Sequence, residues 1–138
     1  MKIEINLNCN FDRTAPICVF RSKHNSREQI LQKTNVVELD FAIEPKDFLS
    51  IHFINKDDRD DNVVIIKKIL VDDIDLQHFL LKGKFTPEYN MDWYNNQDPK
   101  PPLVYAPCTE LRHGGVWEIQ LKTPIWKMMM EEWLNDKK

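Results

Sequence analysis

The chain has 138 residues and a mass of 16.5 kDa, a length that fits one domain and leaves little room for two. Hydrophobic residues make up 42% and charged residues 30%, which excludes a mainly disordered or collagen-like chain, and no apolar run approaches the ~20 residues that span a bilayer. The net charge is −3, the pI is near 5.8 and Lys and Arg are scattered, so the basic stripe of a general nucleic-acid or anionic-lipid binder is missing.

Met1-Lys2-Ile3-Glu4-Ile5-Asn6 alternates apolar and polar residues and lacks the apolar core of a signal peptide, so no export signal is expected. Ile3, Ile5 and Leu7 predict a half-buried strand over 2–8. Ile17 to Phe20 predicts a second short strand. Residues 21–33 are polar and predict a loop, or a helical turn near Ser26-Arg27-Glu28-Gln29. From Val37 to Ile43 the odd positions are apolar, which predicts a strand within 34–43. Pro45-Lys46-Asp47 predicts a turn and Phe48–Ile54 the next strand.

The loop from Asn55 to Asn62 is rich in turn residues. Val63 to Val71 is dominated by β-branched residues, which favour sheet. A hairpin between 48–54 and 63–71 is the pairing the sequence suggests most directly. Ile74 to Leu81 fits a strand or a short helix. Pro87, Pro99, Pro101 and Pro102 prevent a long regular element over 84–102, and Tyr89, Trp93 and Tyr94 argue for an ordered surface excursion there. Leu103–Leu111 offers a strand, Gly114-Gly115 a turn, and Val116–Leu121 alternates as the last strand. Thr123 as N-cap and Pro124 at the first helical position predict a terminal helix over about 124–135.

Short strands at close spacing followed by one helix predict a single mainly-β domain over 1–138. The expected form is an antiparallel β-sandwich of jelly-roll or Greek-key type, with a Pro- and aromatic-rich excursion at about 85–105. Three glycines leave few tight primed turns, so most connections are expected to be longer loops.

Seven of the 13 Asp lie between Asp57 and Asp75. Asp57, Asp58, Asp60 and Asp61, flanked by Asn55 and Asn62, offer oxygen ligands suited to calcium, although the EF-hand pattern is missing. The other reading is a solvated loop whose like charges prevent edge aggregation. Tyr89, Trp93, Tyr94 and Tyr105 can stack on sugar rings, anchor a protein partner, or fold inward as a cover. Trp117, in an alternating strand, is expected in the core. Trp126, Met129 and Trp133 on the terminal helix can dock on the sandwich or on a neighbouring subunit, and Met128-Met129-Met130 is an adaptable apolar run.

Catalytic signals are few. No His pair has metal-ligand spacing, and no nucleophile elbow, phosphate loop or dinucleotide fingerprint occurs. Cys108 with His113 is the one nucleophile and base that can be named, and Asp72 with Asp75 the one carboxylate pair. Three cysteines, Cys9, Cys18 and Cys108, with no C-x-x-C spacing, predict reduced thiols acting as small hydrophobes in a cytosolic setting.

Two resemblances bear on function. Leu49-Ser50-Ile51-His52-Phe53-Ile54-Asn55, Asp60-Asp61-Asn62-Val63-Val64-Ile65 and Ile69-Leu70-Val71-Asp72-Asp73 together resemble a stretch of about 25 residues in jelly-roll carbohydrate-binding modules. There, an apolar strand ends in Asn, an Asp/Asn-rich loop follows, and the next strand ends in Val-Asp-Gly; here Asp73 stands where Gly is usual. In the calcium-dependent xylan-binding group the loop carboxylates hold the ion, which implies Asp57, Asp58, Asp60 and Asp61 as the matching residues.

The whole chain is similar to small structural proteins of tailed phages, particularly those infecting cyanobacteria. The similar elements are Val71-Asp72-Asp73-Ile74-Asp75-Leu76-Gln77-His78-Phe79-Leu80, Lys82-Gly83-Lys84-Phe85-Thr86-Pro87-Glu88-Tyr89, and Gly115-Val116-Trp117-Glu118-Ile119-Gln120-Leu121 leading into Pro124-Ile125-Trp126. That similarity implies a non-catalytic virion component, such as a capsid decoration, tail or adsorption protein, assembled in a host cytoplasm. Its expected partners are other virion proteins or copies of itself, without nucleic acid or membrane. A calcium-assisted carbohydrate-binding module is the alternative, and a small hydrolase the second alternative.

Overall fold

The computed structural model describes residues 1–56, 62–76 and 82–136, except the side chains of residues 132, 133, 135 and 136. In chain order the elements are β1 (Lys2–Asn10), β2 (Ile17–Arg21), β3 (Ser26–Ile30), β4 (Thr34–Asp40), β5 (Lys46–Phe53) and β6 (Val63–Val71). There follow β7 (Ile74–Asp75), β8 (Lys84–Pro87), α1 (Met91–Asn95), β9 (Glu110–Leu111), β10 (Gly115–Lys122) and α2 (Ile125–Asp136).

These strands form two antiparallel sheets, the sandwich that the alternating patterns predict. One runs β4-β1-β6, with β7 and β9 both on the far side of β6. The other runs β3-β2-β5-β10-β8. β2–β3 and β6–β7 are hairpins; the other connections between described strands cross from one sheet to the other.

The apolar positions face inward as the period of two requires. Ile3, Ile5 and Leu7 of β1 meet Phe20, Ile51 and Trp117 in one continuous core. Each such buried side chain contributes roughly 1.5–3 kcal/mol.

Five expectations need correction. The strand offered over Leu103–Leu111 forms only at Glu110–Leu111, and Lys46 and Asp47 of the predicted turn already belong to β5. The other three reach further. The first is the hairpin between 48–54 and 63–71. β5 pairs with β2 and β10, whereas β6 pairs with β1 in the opposite sheet. Asn55 and Asn62 hold the ends of that crossing. Asn55 accepts from Ile17 N at 2.6 Å and donates to the Ala15 carbonyl at 3.0 Å, and Asn62 donates to the Thr14 carbonyl at 3.3 Å.

The second is the polar stretch 21–33, which contains β3. This edge strand keeps mostly exposed side chains, so it carries no apolar alternation, and its ladder with β2 sets its conformation. The third is the helix entry. The Pro124 carbonyl accepts from Lys127 N at 3.1 Å and Met128 N at 3.3 Å, so Pro124, one residue later than predicted, is the cap.

Two local devices set the geometry. β6 reads Val63-Val64-Ile65-Ile66-Lys67-Lys68-Ile69-Leu70-Val71 and faces β1 with a slip: Asn6 opposes Lys68 and Leu7 opposes Ile66. Lys67 is the extra residue of a bulge, which lets Ile66 and Ile69 both point inward despite their odd spacing. The β6–β7 turn has Asp72 at φ 48° and Asp73 at φ 66°, the sign a tight primed turn demands. Asp72 Oδ1 accepts from Lys2 N at 2.9 Å and Asp72 N donates to the Lys2 carbonyl at 2.8 Å, so the turn also grips the start of β1.

Candidate functional site: an aromatic platform on the 85–105 excursion

The excursion is closed at its base by β8. Gly115 sits at φ 151°, and a Cβ there would lie 2.4 Å from the Thr86 carbonyl oxygen, so glycine allows β8 and β10 to approach. Glu88 N then donates to the Gly114 carbonyl at 2.7 Å, which sets Tyr89 beside His113. Tyr105 closes the other end, exchanging backbone hydrogen bonds with Phe85 at 2.9 and 2.8 Å.

Between these ends the chain makes one helical turn. Asn90 Oδ1 accepts from Trp93 N at 3.2 Å, capping α1, which carries Trp93 and Tyr94. The prolines bring the chain back, and the Tyr89 hydroxyl donates to the Pro102 carbonyl at 2.7 Å.

Tyr89 is the centre of the cluster. Its ring stacks on Tyr94 at 5.3 Å, tilts against Trp93 at 5.6 Å and meets His113 edge-on at 5.0 Å. Trp93 also contacts His113 at 6.0 Å, and Lys100 Nζ lies 5.9 Å from the Tyr94 ring centre. Such ring pairs each contribute about 0.5–1.5 kcal/mol beyond burial. The Tyr89 hydroxyl lies 3.1 Å from that of Tyr105, and burial, then this contact, raise the Tyr89 phenol well above its ordinary range. The excursion is therefore tied together by its ring contacts, by His113 and by backbone bonds at both ends, while Trp93 stays 43% exposed at its surface.

Four of the predicted residues thus come together: Tyr89, Trp93, Tyr94 and Tyr105. Tyr105 is half-buried and packed against the core, with Tyr89, Trp93 and Tyr94 outside it. Trp126 lies on α2, exposed beside a groove lined by Met1, Ile74, Pro124 and Ile125. Met129 is half-buried against the core, and the side chain of Trp133 lies outside the described residues. The proposed calcium ligands Asp57, Asp58, Asp60 and Asp61 also lie outside them. The flanking amide oxygens are in use, Asn55 Oδ1 by Ile17 N and Asn62 Oδ1 by Lys56 Nζ at 2.8 Å.

Sequence reasoning missed two residues of this region. His113 is expected only as a base for Cys108; its place in the platform follows from a cross-strand neighbour, Glu88–Tyr89, that no local pattern reveals. His52, on the outer face of β5, lies 2.6 Å through Nε2 from Glu88 Oε1 and so ties the sheet to the foot of the excursion. Its alternation with the core residues Ile51 and Phe53 was the available signal.

The named nucleophile is poorly placed for catalysis. Cys108 Sγ donates to the Glu110 carbonyl at 3.1 Å, burial raises its thiol, and the ring of His113 packs on Tyr89 and Trp93. Asp72 holds Lys2 N, and Asp75 lies 3.8 Å from Lys68 Nζ. Cys9 and Cys18 are free and buried; burial pushes Cys9 up to about 11 and Cys18 higher still. Among the described residues no group of three or more His, Cys, Asp and Glu is placed to hold a metal ion, and no helix is long and apolar enough to cross a membrane. No known family, curated protein or solved structure matches this chain.

Proposed function

We propose that the protein is a non-catalytic component of a larger assembly, a virion structural protein of the kind its sequence resembles, which works through protein–protein contacts. One observation carries this reading. Among the described residues, ten large hydrophobic side chains are exposed, and seven of them fall in two segments. Met91, Trp93, Leu103 and Val104 are on the excursion, and Trp126, Met130 and Leu134 are on α2. Isolated exposed hydrophobes are ordinary, whereas concentrated ones mark surfaces that another molecule covers. Trp is also the residue most often found at the energetic centre of such contacts.

The test is a photo-crosslinking amino acid at position 93, with a second at the outlying Ile30 as control, in the native assembly. The reading expects a protein adduct at 93 and none at 30. Carbohydrate binding is the alternative, favoured by the exposed Trp93 ring flanked in sequence by Asn90, Asp92, Asn95 and Asn96. It expects the purified chain to be retarded in polysaccharide gels, and Trp93→Ala to abolish the retardation. That result, without a protein adduct, would replace the assembly reading.

A further inference from the structure

α2 is a 12-residue helix, about 18 Å long. Its first turn is anchored by Ile125 and Met128, both buried, and Lys122 N lies 3.2 Å from Met128 Sδ. On the outer side of the helix Trp126, Met130 and Leu134 are 58%, 54% and 51% exposed. Their spacing of four places them in one stripe, and exposed Lys127 and Glu131 flank that stripe on one side.

We propose that this stripe is covered by the same stripe of a second copy of the chain, the two helices packing antiparallel about a two-fold axis at Met130. The proposal rests on the assembly reading and names one of its partners. An isologous contact demands a patch complementary to itself. About an axis at Met130, Trp126 of each copy faces Leu134 of the other and Met130 meets its counterpart. The groove of Ile74 and Pro124 beside Trp126 receives the far end of the second helix.

Charge selects this occupant and this direction. A two-fold axis perpendicular to the helices keeps each flank on its own side. Lys127 of one copy therefore comes within about two residues, roughly 3 Å along the axis, of Glu131 of the other, twice. In a parallel pair the two-fold axis would run along the helices and place the two charged flanks on opposite sides of the contact, so Lys127 and Glu131 would find no opposite charge across it. Within one helix, Lys four residues before Glu is the weaker order, so the pair serves better between copies. A contact of this length covers less than the ~800 Å² per partner of a standard interface, so the dimer dissociates on dilution.

The experiment is sedimentation equilibrium of the full chain from micromolar to millimolar concentration. The wild type should approach twice the monomer mass, and Met130→Glu should stay monomeric with an unchanged melting temperature. Lys127→Glu and Glu131→Lys should each weaken association about five-fold. The double variant, and an equimolar mixture of the two single variants, should restore it. A wild-type monomer throughout, a dimer indifferent to Met130→Glu, or charge reversals that fail to rescue one another would each overturn the proposal. A protein adduct at position 93 would still support the assembly reading in that event, so the two fail separately.

Discussion

Gly83 and Trp117 occupy the same space: an ideal Cβ on Gly83 would lie 2.3 Å from Trp117 Nε1. The indole is fully buried and donates to the Cys108 carbonyl at 2.7 Å, while Cys108 N donates to the Gly83 carbonyl at 3.2 Å. One glycine thus lets the largest core side chain reach its hydrogen-bond acceptor at the base of the excursion. Gly83→Ala must move the ring, with overpacking and a lost hydrogen bond together costing about 2–3 kcal/mol. Urea unfolding should show a lower midpoint. A variant as stable as wild type would mean that the indole is not held this way.

Asp47 should govern the acid limit of stability. It is buried, and its carboxylate accepts from Lys23 N at 2.9 Å, Phe48 N at 2.7 Å and Glu44 N at 3.0 Å. Burial works to raise its pKa, but the three N–H donors outweigh it and hold the carboxyl below its ordinary value. With the folded pKa depressed, its stabilisation is complete above the unfolded value of about 3.9 and is lost as pH falls through the folded value. Asp47→Ala should cost about 2–3 kcal/mol at neutral pH, because buried donors lose their acceptor. Melting temperatures between pH 2 and pH 7, taken as about the range that brackets this titration, should fall less steeply with acid in Asp47→Asn than in wild type. Equal slopes would contradict the assignment.

The β6–β7 turn carries Asp at both positive-φ positions. Glycine adopts φ near 66° without the side-chain penalty, partly offset by its greater freedom when unfolded. Asp73→Gly should therefore stabilise by about 0.5 kcal/mol, and Asp73→Ala should destabilise by about 1 kcal/mol. The sign of the difference between the two variants in chemical denaturation decides the matter.

Glu4 and Glu38 lie directly opposite on the outer faces of β1 and β4. Like charges in that position repel. Glu38→Lys should stabilise by roughly 0.2–1 kcal/mol, and the gain should shrink in high salt. A gain that salt leaves unchanged would point to a cause other than charge.

Elements that bury one clean face could be read from the sequence. β1 and β10 alternate without interruption, and Ile3, Ile5, Leu7, Trp117, Ile119 and Leu121 are all inward. Where a strand serves another purpose, the pattern is lost. β3 is a polar edge, and β6 changes phase at Lys67 because a bulge absorbs one residue. Strand partners were the least legible feature. Chain proximity suggested β5 with β6, yet both are central strands of different sheets, and which strands pair depends on contacts distant in sequence. The same holds for the platform: Tyr89, Trp93 and Tyr94 are near in sequence, whereas His113 joins them across the β8–β10 pairing.

The proposed assembly requires Trp93 and Trp126 to be covered by neighbouring molecules in the native setting. Hydroxyl-radical footprinting of the free chain and of its native assembly tests this most directly, with fully buried Trp117 as the internal reference. Trp93 and Trp126 should oxidise readily in the free chain and several-fold more slowly in the assembly, while Trp117 should be slow in both. Equal oxidation of Trp93 in the two states would contradict the proposed assembly.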